Sequence, residues 1–162
     1  MRPGDLCFID DAFFEKVNDA NLKINYGETK RPHIVAFKDV KTSLFWVVPC
    51  SSQLKKYKNI ISKIENNGKK CVGIKMFDHP VLKGKSAVLF QDMFPVSLKY
   101  ICPYERDGEL LKINDSMILS VLETTARTCV NRLMEGFWFT PTQPNVVRIE
   151  NIMLRELRNY GR

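Results

Sequence analysis

The order in which hydrophobic periodicity changes along the chain constrains its fold most. As far as Pro103 the apolar residues fall in short runs rich in Val, Ile, Phe and Trp, the signature of strands. After "YERDGELLKI" they recur at helical spacing in two long stretches. Strands bunched first and helices last indicate an α+β fold: a small, strongly curved antiparallel β-sheet or barrel core with added helices, two of them C-terminal. The expected organisation is a single domain over residues 1–162. A β-core occupies 1–105, with a helix after the second hairpin strand, and a C-terminal helical annex occupies 113–160. At 162 residues and 44% hydrophobic composition, the chain suits one compact core.

Within that order, "DLCFID" reads as a strand after a Pro-Gly turn, and "DDAFFEKV" as a short helix capped by aspartate. "NDANLKINYGETK" is polar and reads as a loop. "PHIVAFKD" and "TSLFWVVP", separated by "DVKT", form a β-hairpin. "SSQLKKYKNIISKIENNG" is the expected helix: a serine caps it, Leu54, Tyr57, Ile61 and Ile64 share a face, and Asn67-Gly68 closes it. "KCVGIKMF", "KSAVLFQ" and "SLKYICP" are further strands. Asn114 to Phe137 is a long helix, and "VVRIENIMLRELRNYG" a last one, introduced by Pro144 and closed by Gly161.

Charge narrows the partners. A net charge of +7 favours an anionic partner such as nucleic acid. No apolar run exceeds about six residues, against roughly 20 for a spanning helix, and no signal peptide opens the chain, so no membrane role and a cytoplasmic location are expected. The five cysteines are widely spaced without a C-x-x-C pair, and only His33 and His79 are available beside them. Reduced structural thiols are expected, with no metal and no cofactor.

The stretch "PCSSQLKKYK" carries the chemistry. A helix N-terminus has free N–H groups and partial positive charge, so acidic residues belong there. This one offers Ser51 and Ser52 followed by Lys55, Lys56 and Lys58. The plain reading is an N-cap and a solvated face. The functional reading is a phosphate receptor. In the antiparallel hairpin, Lys30 and Arg31 at the start of the first strand lie beside Pro49–Ser52 at the end of the second. His33 is expected in the hairpin core and His79 in a turn, beside the candidate phosphate contacts Lys83 and Lys85. Arg148, Arg155 and Arg158 form one stripe on the last helix, either a solvated face or a track for RNA phosphates. Phe137, Trp138 and Phe139 read as core.

The opening "GDL", then "KRPHIV", then a hairpin, resembles the MazF/PemK-like endoribonuclease toxins, whose core is SH3-like. "WVVPCSS" followed by "KKY" and a helix is closer to the toxins of type III toxin–antitoxin systems, the ToxN/AbiQ family and its CptN-like branch. The resemblance implies a metal-independent endoribonuclease that leaves 2′,3′-cyclic phosphate and 5′-hydroxyl ends. It implies phage defence by abortive infection. It also implies RNA partners: substrate mRNA, and a small antitoxin RNA cut from tandem repeats and folded as pseudoknots, which inhibits the toxin in a closed protein–RNA hetero-oligomer. Lys30, Ser51 and Ser52 match the family's active-site positions. Because Gln53-Leu54 stands where one proline is common, both Lys55 and Lys56 match the following lysine. A lysine acting as base needs desolvation or cationic neighbours, and which amine serves stays open. Two other readings share the basic patches: a non-catalytic RNA-binding module, and a MazF-like ribonuclease held by a protein antitoxin.

Overall fold

The run "FWVVPCS" explains the architecture. It forms β3 (Phe45–Ser51), and all seven of its residues are buried. A strand buried on both faces is unbroken in hydrophobicity. Phe45 and Val47 face one core with Phe13, Phe14, Ile149 and Met153. Trp46, Val48 and Cys50 face another with Leu122, Ala126, Cys129 and Leu133. The computed structural model describes residues 1–160, the side chain of Tyr160 excepted.

Along β3, one edge pairs with β2 (His33–Lys38). The other edge is shared, by β6 (Phe94–Val96) at its start and β5 (Gly84–Val88) at its end. β1 (Leu6–Ile9) and β7 (Ile101–Pro103) extend the sheet beyond β2, and β4 (Lys75–His79) extends it beyond β5. Every pairing is antiparallel. A register shift between Val35 and Phe37 bulges β2, which turns both Ala36 and Phe37 toward the α3 core.

The sheet is not closed into a barrel: β4 and β7 remain separate edges. A barrel has one interior, but this sheet has two. α1 (Asp11–Val17) and α4 (Val146–Tyr160) cover one face, and α3 (Ser116–Met134) the other. With both faces buried by helices, nothing drives the edges together. α2 (Leu54–Asn66) packs Tyr57 over Ile74, Ala87 and Leu89 as a satellite cluster.

Several element ends differ from expectation. α2 starts at Leu54 with Gln53 at its N-cap and no side-chain cap. Ser51 remains in β3, and its Oγ accepts the Gln53 N–H at 3.2 Å. "KCVGI" is not a strand, since β4 begins only at Lys75. Leu98–Tyr100 is a 3-10 turn ahead of β7. β6 was unforeseen, as was the small hairpin of β8 (Glu105–Arg106) and β9 (Glu109–Leu110) about a left-handed Asp107-Gly108 turn. α3 stops at Met134 because Gly136 turns left-handed (φ 85°). Phe137 and Trp138 are thereby thrown outward and stand half-exposed, not in the core. Asp10 and Asp115 cap α1 and α3, accepting N–H bonds from Ala12 (2.8 Å) and Ile118 (2.9 Å). Gly161, expected to close α4, lies outside the described residues. No described helix is long and apolar enough to cross a membrane.

Candidate functional site

The hairpin register places the first two candidates. His33 pairs with Pro49, and the Cys50 N–H donates to the Pro32 carbonyl at 2.9 Å. Arg31 is therefore drawn beside the end of β3, where its Nη1 donates to the Cys50 carbonyl at 3.2 Å. On the other side Ser51 pairs with Ala87 of β5. That pairing brings in Ser86, Lys85 and the preceding Lys83, which sits left-handed (φ 58°) after a 3-10 turn, with Gly84 next to it (φ 95°). The result is a cleft of about 510 Å³ over the end of β3, lined by Lys30, Arg31, Ser51, Ser52, Gln53, Lys83, Lys85 and Ser86.

A second wall is apolar and aromatic. Phe8 and Tyr104, with ring centroids 4.3 Å apart, line the cleft with Ile24, Tyr26, Val81 and Leu82. Tyr26 stands at a tight turn, where Tyr26 and Thr29 exchange backbone hydrogen bonds at 3.0 and 2.9 Å about a left-handed Gly27. The loop carrying Tyr26 and Lys30 is pinned by Asn25, whose amide donates to the Ile9 carbonyl (3.0 Å) and to Asp11 (2.8 Å). The Asn25 oxygen accepts the Arg31 N–H at 2.9 Å.

The structure sorts the sequence candidates. Lys30, Arg31, Ser51, Ser52, Lys83 and Lys85 meet in one cleft. Lys55, Lys56 and Lys58 do not line it. They project from α2, and Lys56 Nζ lies 5.3 Å from the Tyr57 ring centroid. Nor do Arg148, Arg155 and Arg158, which stand exposed along α4; Arg155 borders a separate shallow groove with Lys16 and Glu156. The two serines differ. Ser51 is buried, holds the Gln53 N–H and hydrogen-bonds Tyr57, whereas Ser52 is open to the cleft.

Neither histidine lines the cleft. His33 is wholly buried. Its Nδ1–H donates to the Arg31 carbonyl at 2.9 Å, and burial drives its pKa down to about 3, so the ring is neutral. His79 Nδ1 accepts the Val81 N–H at 3.2 Å and so caps a turn. The five cysteines are free thiols. Burial pushes Cys50 and Cys129 up to about 12, which leaves them protonated and unreactive. Among the described residues no three His, Cys, Asp or Glu side chains are grouped to hold a metal ion.

Behind the cleft lie two groups that sequence reasoning missed. Tyr57 is buried, and its pKa is raised first by burial and then by the charge of Asp92. Asp92 is only 2% exposed, and burial pushes its pKa up to about 6 against the pull of Lys23, Arg31 and Lys56. A lone aspartate inside the apolar run "VLFQDMFPV" was the one signal that could have flagged it. Tyr26, Phe8 and Tyr104 left no such signal, because only the fold brings them together.

No protein-family model matches the sequence, and no curated protein matches it. Solved structures do. The chain is similar to AbiQ, a lactococcal anti-phage endoribonuclease of a type III toxin–antitoxin system, at 10% identity and a TM-score of 0.69, over 97% of each chain. It is also similar to a protein of a bacterial antiviral system regulated by a processed non-coding RNA, at 13% identity and a TM-score of 0.61, over the full length of both chains. At these identities the likeness establishes a common fold.

Proposed function

We propose that the chain is an endoribonuclease toxin of a type III toxin–antitoxin system, acting as a single domain, and that the cleft over the end of β3 is its active site. One observation carries this reading: two serine hydroxyls and four cationic side chains from three separate segments converge beside an aromatic wall. A phosphodiester suits the cations and a stacked base suits the rings. The likeness in fold to an anti-phage endoribonuclease, and to a protein under the control of a processed RNA, supports it.

The proposed reaction suits the side chains present. The ribose 2′-oxygen attacks the adjacent phosphorus, the bond from phosphorus to the 5′-oxygen breaks, and the products are a 2′,3′-cyclic phosphate and a 5′-hydroxyl. With both histidines committed elsewhere, a neutral amine takes the 2′ proton and an ammonium returns one to the leaving oxygen. Lys30, which lines the cleft with the serines, is assigned the 2′ proton; Arg31, Lys83 and Lys85 stabilise the phosphorane charge. Ser52 hydrogen-bonds the phosphate, and Ser51, held by Gln53 and Tyr57, fixes the backbone that presents it. The step needs no metal. An antitoxin RNA, processed by the toxin and closing with it into a hetero-oligomer, is held along the exposed arginines of α4. Kinship with the CptN-like branch and with the MazF/PemK-like core belongs to the same proposal.

The test incubates purified protein with a long single-stranded RNA in EDTA. Fragments ending in cyclic phosphate are expected. Lys30→Ala and Ser52→Ala should each lower kcat by about 10²- to 10³-fold, and Lys56→Ala, outside the cleft, by about tenfold or less. RNA that is bound but uncut by folded, nucleic-acid-free protein would refute the reading and leave a binding module.

A further inference from the structure

The deepest charged group among the described residues is not in the cleft but beneath it. Asp92 ends a 3-10 turn (Phe90–Asp92) that is fixed by two backbone hydrogen bonds, one of them to the strand of the site. The Leu89 N–H donates to the Pro49 carbonyl at 3.0 Å, two residues before Ser51, and the Gln91 N–H donates to the Gly73 carbonyl at 2.9 Å. The carboxylate is 2% exposed; the Gln91 side chain beside it favours its charged form, yet neither oxygen makes a well-formed hydrogen bond among the described residues. A buried anion left this way is costly unless a cation faces it.

Two of the three cations that face it come from the loop forming the cleft's rim. Lys23 Nζ stands 4.0 Å from Asp92 Oδ2. Arg31 is the next cation whose field reaches the carboxylate, and its Nε–H is itself buried and unpartnered. Lys56 and Tyr57 face it from α2. His33, neutral and with Nε2 unpartnered, lies close by: its partner Pro49 accepts the Leu89 N–H, and its ring meets that of Phe94 at 5.5 Å. Lys23 and Arg31 bracket the loop segment that carries Ile24, Tyr26 and Lys30 into the cleft.

We propose that Asp92 is a positioning residue: from beneath, its carboxylate latches the rim loop through its ion pair with Lys23, with Arg31 held in the same field, and so keeps Lys30 and Arg31 at the reacting phosphate. This rests on the ribonuclease reading for its consequence, though not for the latch itself. Asp92 touches no substrate. It supplies the fixed counter-charge without which two long cationic side chains sample many rotamers. Arg31 makes no direct contact with the carboxylate and acts on it through its field, while its buried Nε–H stays without a partner among the described residues. The carboxylate is retained despite its desolvation cost because an apolar or amide side chain would leave the rim unanchored.

Asp92→Asn is the test, with Glu123→Gln on the far face of α3 as control. In ¹⁵N-labelled protein the Arg31 Nε–H resonance should move on substitution and lose a pH-dependent step that the wild type shows near pH 6. An unmoved Arg31 signal overturns the latch. In RNA cleavage, kcat should fall about tenfold or more while KM changes by less than about threefold, and the unfolding midpoint should rise. Unchanged kcat overturns the positioning role. So does a lost kcat accompanied by a lowered midpoint, which marks a merely structural residue. If the wild type cuts no RNA, the ribonuclease reading fails by itself, and the Arg31 resonance still decides whether the latch exists.

Discussion

Replacing Asp92 by asparagine should stabilise the protein. The side chain keeps its shape and loses its charge. In the fold, burial holds the carboxyl proton up to about pH 6, against a reference value of 3.8. The folded state therefore binds more protons than the unfolded state between those values, and stability falls as pH rises through that window. The full penalty is in place above about pH 6 and corresponds to roughly 3 kcal/mol. For a chain of this size that is a rise of about 6–12 °C in Tm at pH 7.5. Thermal unfolding by circular dichroism over a pH series reads it directly. The variant's advantage should shrink as the pH drops from 6 and vanish below the reference value. An equal or lower Tm at neutral pH, or a difference that does not change with pH, would refute the reasoning.

Other perturbations follow from the same structure. Glu156, also buried, should behave oppositely. Its Oε1 accepts from Lys16 and Lys99 at 2.8 Å and from the Tyr100 hydroxyl at 2.9 Å, and these bonds hold its pKa below the usual value despite burial. It therefore contributes stability above the ordinary carboxylate pKa that is lost as pH falls through its lowered value. Glu156→Gln should cost about 2 kcal/mol at neutral pH, a figure that allows for solvent around the half-exposed lysines, read as a lower urea midpoint and as early loss of the α4 contact. Gly4 takes φ 90°, and a Cβ there would stand 2.8 Å from the Ile113 carbonyl oxygen. Gly4→Ala should destabilise by about 2–4 kcal/mol, seen as a drop in Tm with unchanged chemistry at the cleft. Replacing Arg148, Arg155 and Arg158 together by Gln should reduce the slope of log affinity against log salt by about 2 for a labelled RNA hairpin, if each meets a phosphate. An unchanged slope would assign the stripe to solvent.

Much of this protein was legible in its sequence because the relevant physics is local. Asp10 and Asp115 cap helices through bonds spanning two or three residues. Asp39 closes the β2–β3 hairpin through the Lys41 N–H at 2.8 Å and the Leu44 carbonyl. That hairpin alone puts Arg31 beside Cys50, so the meeting of "KR" with "SS" needed only strand periodicity and antiparallel register. What the sequence could not settle depends on partners far away. Whether the sheet closes is decided by helices on both its faces, which alternate residues of β3 cannot reveal. The lysines that join Lys30 and the serines in the cleft are Lys83 and Lys85, because β5 pairs with the end of β3. Lys55 and Lys56, closer along the chain, are carried away by the rotation of α2. Asp92 lies far from Lys23 and Arg31 in sequence, and only the turn joining β5 to β6 sets it beneath them. The residue types that suit a phosphate were written in the chain. Their convergence, and the buried charge behind them, came from tertiary packing, since only a packed interior removes the water that would otherwise make such charges indifferent to one another.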